Sequence, residues 1–276
     1  MSDQAAPVSN LMYSDARLGI RRQYHDPLWQ DVRPDHQIIL GHTDIDLQLE
    51  HISERPDQTF KIELNRTGID YAECLPRLAE LPNVIGLSLV RAPGLELDDL
   101  RCLKHVKQFS GMDFFSAFDL SVFPELERLV AHAGCVYSGF EACRNLRQMT
   151  WYFPPNKKFD YACWSPLSGL ERLELFHPRL ESLVALQHHF GHLEMLNLAP
   201  ASRLRDISAI TKFRRLEYLG LERATKIESW LPLLRYKGRL DVVLDGCGKI
   251  PLPESTKGRH SNVKFDLHKT KIIYAG

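Results

Sequence analysis

The residues of this chain that could most readily do chemistry are three closely spaced histidines, His188, His189 and His192. His188 and His192 are four residues apart, so a helix would place both imidazoles on one face, where they could share a zinc ion. A zinc site needs a third protein ligand, and the neighbouring sequence supplies none for this pair. We therefore predict that these histidines are exposed to solvent at the end of a turn and that the chain holds no metal.

Two other stretches are candidates for chemistry. The thiol of Cys247 lies between two glycines in Asp245-Gly246-Cys247-Gly248, and a separate loop contains Pro154 and Pro155. The chain has no nucleophile elbow, zinc-protease helix, phosphate-binding loop or dinucleotide fingerprint. We predict that it is not an enzyme and takes no cofactor. The less favoured alternative is an enzyme that uses the His188/His192 region or the Pro154-Pro155 loop.

A repeated leucine pattern governs where these residues lie. Three segments read apolar-x-x-Leu-x-x-Leu-x-Leu, and they begin at Leu167, Phe190 and Phe213, with a spacing of 23 residues. A fixed period in this range is typical of a solenoid, in which each repeat contacts only its neighbours. The Leu-x-Leu part alternates with a period of two, as a strand with one buried face does.

The same pattern predicts a series of strands along most of the chain. We expect nine, with a possible tenth at 62–64, and the nine lie near Leu87, Phe109, Leu129, Met149, Leu173, Leu196, Leu219, Val242 and Phe265. The runs 36–40 and 44–49 also have a β pattern, and 69–81 has the pattern of a helix on the outer side of the solenoid.

The repeat length and the run Leu204-Arg-Asp-Ile207-Ser-Ala-Ile210 resemble the roughly 22-residue leucine-rich repeats of internalins and of phosphatase-regulatory proteins. The resemblance covers roughly residues 69–276. It implies an α/β leucine-rich repeat solenoid, right-handed and curved, with a parallel concave β-sheet and short helices or 3₁₀ turns on the convex side. For most members of the family it also implies a protein-binding role.

One departure from the family is systematic. Its members usually place asparagine three residues after the last leucine of the strand, where the side chain bonds to the backbone of adjacent turns. Other residues occupy that position in this chain, namely Ala92, Gly134, Pro154, Pro178, Ala201, Ala224, Cys247 and Thr270. We expect irregular turns, because the backbone groups need other partners, and we expect Cys247 to be a buried structural thiol.

Composition narrows the classes of partner. Lys plus Arg and Asp plus Glu each number 35, which argues against a nucleic-acid binder whose affinity comes from a global basic field. No apolar run approaches the roughly 18 residues of a membrane span, and the first residues show no signal-peptide pattern. We expect a cytoplasmic protein with reduced cysteines, and with neither nucleic acid nor a membrane as its partner.

The chain divides into three predicted segments. Residues 1–35 do not fit the repeat and are predicted to be partly disordered or to pack as a cap. Residues 36–68 form an N-terminal cap that merges into the first strand, and residues 69–276 form the leucine-rich repeat solenoid.

The residues between and flanking the inward leucines face the concave side, because side chains alternate across a strand. Aromatic residues and methionine are frequent in the middle of this series, and acidic residues follow towards the C-terminal end. Since aromatic residues and methionine are enriched in interface cores, we predict a partner-binding surface centred on Tyr152, Phe176 and Tyr218. The full predicted set is Met112, His132, Tyr152, Glu174, Phe176, Asn197, Tyr218, Glu222, Asp245 and Asp266.

These residues lead to one main functional hypothesis. The chain is predicted to be a non-enzymatic module that binds a protein on its concave face. One version is a bacterial cytoplasmic immunity protein that neutralises a toxin domain, and the acidic flank would suit a basic, nuclease-like toxin. The alternative version is a regulatory adaptor subunit of a phosphatase or ligase.

The C-terminal end raises a question of oligomeric state. The repeat pattern stops at Ile273 to Gly276 without a capping helix, so the strand near Phe265 would present an open edge. Either the tail folds back over that edge and the chain is a monomer, or two chains meet there in a weak homodimer.

Overall fold

The computed structural model describes residues 13–15, 20–22, 34–41, 43–65, 67–111, 116–132, 134–153, 159–258 and 262–275. In this part of the chain, one thirteen-stranded sheet runs the length of the molecule. Its first two strands, β1 (Tyr13–Asp15) and β2 (Ile20–Arg22), are antiparallel to their neighbours. The remaining eleven strands pair in parallel, as the repeat pattern predicts for a solenoid.

The parallel strands follow one another in chain order across the sheet. They are β3 (His36–Ile39), β4 (Phe60–Asn65), β5 (Val84–Arg91), β6 (Gln108–Gly111), β8 (Arg128–His132), β10 (Gln148–Tyr152), β11 (Arg172–Phe176), β12 (Met195–Ala199), β13 (Tyr218–Glu222), β14 (Leu240–Pro253) and β15 (Val263–Ala275). A separate two-stranded parallel sheet holds β7 (Ala117–Asp119) and β9 (Val136–Ser138).

Short helical segments connect the strands. The α-helices are α1 (Ile45–Ser53), α2 (Tyr71–Ala79), α3 (Val184–Phe190) and α4 (Leu231–Leu234). The connecting 3₁₀ turns are Leu97–Cys102, Leu120–Val122, Phe140–Ala142, Tyr161–Trp164, Ser208–Lys212 and Glu254–Thr256. This alternation of short convex helices and parallel strands confirms the predicted leucine-rich repeat solenoid.

The N-terminal part of the solenoid differs from the prediction in two ways. The parallel ladder begins at β3, so it has eleven strands rather than nine or ten. The run 44–49, predicted as a strand, lies mostly in helix α1. The Asp44 carboxylate caps this helix by accepting a hydrogen bond from the Asp46 backbone N–H at 2.9 Å, a local signal that outweighs a short β pattern. Helix α2 lies within the predicted helical segment 69–81 and is capped in the same manner by Asp70.

The leucines that define the repeat fill the interior. Leu173, Leu175, Leu196, Leu198 and Leu219 are fully buried, and Leu221 is nearly so. Each belongs to a strand whose neighbouring residues face outwards, which is the alternation that the pattern predicted.

Aromatic side chains replace leucine in the middle repeats. Trp151 and Trp164 are buried and pack edge to face, with ring centroids 5.1 Å apart. Phe153 and Phe159 contact both indoles, and Phe190 contacts that of Trp164. These rings fill the wider repeat that separates β10 from β11, where 24 residues rather than 23 separate paired positions such as Met149 and Leu173.

The turns after the strands are irregular, as the missing asparagines predict. Small side chains at this position, such as Ala92, Ala201 and Ala224, are buried. Left-handed backbone conformations recur one residue after a strand, at His177 and Arg223, where φ is 58° and 53°. Cys247 is buried and its backbone N–H donates to the Thr270 hydroxyl at 3.0 Å, so the expectation of a buried thiol is confirmed.

The C-terminal strand β15 is the last strand of the sheet. The tail does not fold back over it, because residues 270–275 continue β15 and pair with 248–253 of β14. Residues 270–275 therefore do not cover this edge, which was one of the two alternatives that the sequence left open. Phe265, Leu267, Ile272 and Tyr274 are partly buried against the core.

Candidate functional site

The face of the sheet opposite the core, which we call the open face, carries three rows of side chains. The register of the parallel strands aligns equivalent residues of neighbouring repeats. The first row contains Gln108, Arg128, Gln148, Arg172, Met195, Tyr218, Asp241 and Lys264. The middle row contains Ser88, Ser110, Val130, Thr150, Glu174, Asn197, Gly220, Val243 and Asp266.

The third row contains the most distinctive feature of the open face. It runs through His132, Tyr152, Phe176 and Ala199 on four adjacent strands, and then through Glu222, Asp245 and His268 on the last three. The sequence thus places three rings side by side, followed by one small residue and two carboxylates.

The three rings form a continuous stack. The His132 and Tyr152 rings are 4.6 Å apart with planes 10° apart, and the Tyr152 and Phe176 rings are 4.5 Å apart with planes 8° apart. The strand spacing of about 4.8 Å is close to the ring separation, so parallel strands hold the rings face to face without bending. All three residues are only half-buried, so the stack is a rigid, partly exposed apolar surface.

Charged side chains surround the stack. Burial raises the pKa of the Tyr152 hydroxyl, Glu174 raises it further, and Arg128 partly opposes this change. Glu174 also accepts a hydrogen bond from the Thr150 hydroxyl at 3.2 Å. A tyrosine hydroxyl is ordinarily neutral at physiological pH, and the raised pKa extends the range in which Tyr152 is a neutral hydrogen-bond donor to higher pH.

The predicted acidic flank is partly neutralised. Glu222 pairs with Arg223 at 3.2 Å, and Asp266 lies 3.4 Å from His268 on the same strand. Asp245 makes no ion pair with any residue that the structure describes. The uncompensated negative charge is therefore smaller than the sequence suggested, and Asp245 lies at its centre.

Several predicted site residues do not join the stack. Tyr218 belongs to the first row, where its register neighbours are Met195 and Asp241. Asn197 lies in the middle row, and its amide oxygen fills the space above Gly220, where an added Cβ would lie 2.3 Å away. Met112 and the Pro154-Pro155 loop lie outside the described residues.

Sequence reasoning missed two basic residues of the open face. Arg128 and Arg172 lie in the first row, on the same strands as His132 and Phe176, and both are half-exposed. They were overlooked because the position before the first leucine was assigned to this face only in the later repeats, at residues such as Tyr218. Applying the same alternation to the earlier strands would have found them.

The histidine cluster lies on the other side of the repeats. His188 and His189 are in the last turn of α3, and His192 follows it; all three line an open groove of about 620 Å³. Among the residues that the structure describes, no three His, Cys, Asp or Glu side chains are arranged to hold a metal ion. Within the same residues, no helix has the length and apolar character needed to cross a membrane.

The comparisons with known proteins concern only the overall shape. No protein-family model matches this chain, and a search of curated proteins gives no match. Among solved structures, an internalin from Listeria monocytogenes is 13% identical over 78% of this chain and 67% of its own, with a TM-score of 0.47. A leucine-rich repeat protein from Leptospira interrogans is 12% identical over 80% and 79% of the two chains, with a TM-score of 0.33. What assigns the fold is therefore this chain's own repeat and its parallel ladder.

Proposed function

We propose that this protein is a non-enzymatic interaction module that binds a protein partner on the open face of its sheet. The observation that carries the proposal is the stack of His132, Tyr152 and Phe176. Aromatic anchors that are held rigidly contribute strongly to binding, because few side-chain rotations are lost when the partner docks. Stacking on both sides fixes the Tyr152 ring before any partner arrives.

The partner's chemistry follows from what flanks the stack. Beyond Phe176, the third row continues through Ala199 to Glu222 and Asp245. A partner segment that crosses the strands along this row would meet apolar rings first and carboxylates next. A partner with an apolar or aromatic anchor followed by Lys or Arg fits this order, since Arg also stacks on aromatic rings.

This order of side chains supports the finer proposal of an immunity protein. A toxin domain that acts on nucleic acid carries basic residues at its working surface. Covering such a surface with the acidic end of the third row would block it. The aromatic stack would then supply most of the affinity, and Asp245 would mainly increase the association rate.

The test begins with affinity capture from the native host. Wild-type protein, the variant Tyr152→Ala/Phe176→Ala and the control Val184→Ala are used as parallel baits, and captured proteins are identified by mass spectrometry. Val184 is an exposed apolar residue of α3 on the convex side. We expect a partner that is captured by wild type and by the control and is lost with the stack variant.

Binding kinetics then separate the roles of the residues. With the purified partner, Phe176→Ala should raise the dissociation rate, and Asp245→Lys should slow association at low salt. A partner that binds all open-face variants like wild type but loses affinity for Val184→Ala would place the interface on the convex side and refute the proposal.

A further inference from the structure

A strip of basic residues runs across three repeats near the amino ends of their strands. The 23-residue period stacks His189, Lys212 and Arg235 in one column, and it stacks Arg214 and Lys237 in the next. His192 and Arg215 form a third column beside them. We call these seven residues the basic strip. Because parallel strands are about 4.8 Å apart, equivalent residues of neighbouring repeats lie at roughly this spacing or slightly more.

The cations of the strip are not neutralised within the described chain. Lys212, Arg214, Arg215, Arg235 and Lys237 are all exposed, and none forms an ion pair with a described residue. Elsewhere on the same side of the solenoid, Lys107 pairs with Glu127 at 3.0 Å and Arg147 pairs with Glu171 at 2.9 Å. The basic strip therefore lies in the repeats that follow those in which these two ion pairs form.

The groove in the strip has no carboxylate in its wall. It measures about 620 Å³, and beside the three histidines its lining consists of Ser168, Gln187, Gly191, Thr211, Lys212 and Arg214. A neighbouring groove of about 430 Å³ shares Arg214 and adds Arg239, although it also contains Glu217 and Asp241. The larger groove therefore favours an anion, and Arg214 joins the two.

Cations at the ends of short helices have a structural role as well. Lys212 ends a 3₁₀ turn and Arg235 follows α4, where a positive charge stabilises the helix carbonyl end. This explains one cation in each repeat. It does not explain Arg214, Arg215 and Lys237, which follow the helices and lie between them and the strands.

We propose that the basic strip binds a linear polyanion, and specifically a chain of phosphates such as inorganic polyphosphate. Guanidinium groups match phosphate oxygens with paired hydrogen bonds, and lysine adds a mobile point charge. The three columns run side by side across the repeats, so a chain of phosphates can contact cations of successive repeats while a single phosphate contacts those of one.

Other polyanions fit the strip less well. Single-stranded nucleic acid needs aromatic surfaces on which bases stack. The rings that line these two grooves are the three small imidazoles and Tyr236, and Tyr236 is buried with its hydroxyl bonded to the Leu216 carbonyl at 2.7 Å. An acidic peptide would need apolar pockets for a stable interface, and the larger groove has no apolar side chain in its lining. A polyphosphate chain needs neither aromatic surfaces nor apolar pockets.

The chain offers a matched control for the test. Arg203, Lys226 and Lys249 also recur every 23 residues and are exposed. Arg203 and Lys226 follow the carboxyl ends of β12 and β13, and Lys249 lies in the carboxyl-terminal half of β14. They carry three positive charges, as do the three residues replaced in the strip variant, but they line neither of the two grooves described above. The strip variant is Lys212→Gln/Arg214→Gln/Arg235→Gln, and the control variant is Arg203→Gln/Lys226→Gln/Lys249→Gln.

Binding of inorganic phosphate, triphosphate and long-chain polyphosphate is measured by calorimetry at several salt concentrations. We expect affinity to rise with chain length, and we expect the strip variant to lose at least about tenfold in polyphosphate affinity. Its salt slope should fall by roughly three units, one for each contact removed. The control variant should stay within about twofold of wild type.

Three results would overturn the proposal. The first is that wild type does not bind long-chain polyphosphate at low salt, and the second is an equal loss in the strip and control variants. The third concerns the ligand class: a mixed-sequence single-stranded oligonucleotide or a poly-glutamate peptide that binds the strip more tightly than polyphosphate of equal charge. Circular dichroism of both variants should match wild type, because every substituted residue is exposed.

Discussion

The rings of Tyr152 and Phe176 lie face to face across neighbouring strands, with centroids 4.5 Å apart and planes 8° apart. Their register position is the same, and the parallel ladder between β10 and β11 imposes the pairing. An in-register parallel sheet repeats the direction of each side chain from one strand to the next. Aromatic residues at one repeat position therefore stack as a consequence of the fold.

The first prediction tests this stack in the free protein. Tyr152→Ala and Phe176→Ala should each destabilise the fold only modestly, and the double variant should lose less than the sum of the two. The coupling energy should be about 0.5–1.5 kcal/mol, as for other aromatic pairs. Urea unfolding of the four proteins measures it.

Tyr152→Ala combined with His268→Ala is the matched control. His268 lies in the same row but on β15, far along the sheet, so these two changes should add within about 0.5 kcal/mol. Coupling of equal size in both pairs would show that the stack contributes nothing specific.

The second prediction concerns the leucine interior. Leu196 is fully buried, so Leu196→Ala should destabilise the protein by roughly 2–5 kcal/mol. Val184→Ala should change stability by less than about 0.5 kcal/mol, because Val184 is 39% exposed. Equilibrium unfolding in urea compares the two, and a near-zero effect of Leu196→Ala would contradict the strand register.

The third prediction distinguishes two reasons why a position requires glycine, namely the left-handed backbone conformation and the lack of space for a side chain. Gly139 and Gly248 share a left-handed φ of 75°, but an added Cβ at Gly139 would lie 2.2 Å from the Asp119 carboxylate and 2.7 Å from the Ser121 backbone nitrogen. At Gly248 nothing lies within 4 Å of that position. Gly248→Ala should cost about 1–2 kcal/mol for the backbone conformation alone, and Gly139→Ala should cost roughly 2–4 kcal/mol.

Thermal and urea unfolding of both glycine variants provide the measurement. Because Asp119 also caps the turn at Ser121, the clash at Gly139 breaks a hydrogen bond of 3.0 Å. Equal destabilisation of the two variants would mean that the clash of the added Cβ with Asp119 and Ser121 is relieved without loss of stability.

The fourth prediction concerns the thiols. Cys102 and Cys163 are exposed, and the other four cysteines are buried. Burial raises the pKa of Cys163 to about 11 and that of Cys143 to about 12, and it also raises the pKa of Cys102. Since the thiolate is the nucleophile, iodoacetamide at neutral pH should label all six more slowly than free cysteine.

The exposed pair should be labelled first, and the rate at Cys163 should rise about tenfold for each pH unit up to its pKa. Peptide mass mapping over time gives the rate at each site. Rapid labelling of any cysteine at pH 7 would show an activated thiol and revive an enzymatic interpretation.

The fifth prediction concerns the open edge of β15, which we propose as the contact of a weak homodimer. Lys264 and Lys271 are exposed on this strand and oppose self-pairing by charge repulsion. Sedimentation should show a monomer at micromolar concentration and a dimer at high concentration that salt strengthens. Association that salt weakens, or amides of 263–275 whose exchange is independent of concentration, would argue against this contact.

Much of this fold can be read from the sequence because its core is periodic. The spacing of Leu173, Leu196 and Leu219 predicts both their burial and the register of their strands, and the structure confirms each of them. The prediction of secondary structure fails in the N-terminal part of the chain, before the regular repeats begin. Helix α1 follows from a capping aspartate at residue 44, which a search for alternation does not weigh.

The candidate site could be predicted only in part. Alternation places His132, Tyr152 and Phe176 on one face, and register makes them neighbours, but the near-parallel planes depend on side-chain rotations that no pattern encodes. The pairing of Glu222 with Arg223 is also local geometry, and it reduces a negative flank that looked stronger in sequence.

The buried tryptophans of the middle repeats allow the progress of unfolding along the solenoid to be followed by fluorescence. A solenoid holds each repeat only through its neighbours, so loss of structure should start at an end such as β15 and travel inwards. Trp151 and Trp164 lie at the centre of that path, in contact with each other. In a variant that keeps only these two of the four tryptophans, backbone dichroism should therefore begin to fall before the indole emission shifts during slow denaturation. The interval between the two changes measures how far unfolding has advanced along the chain.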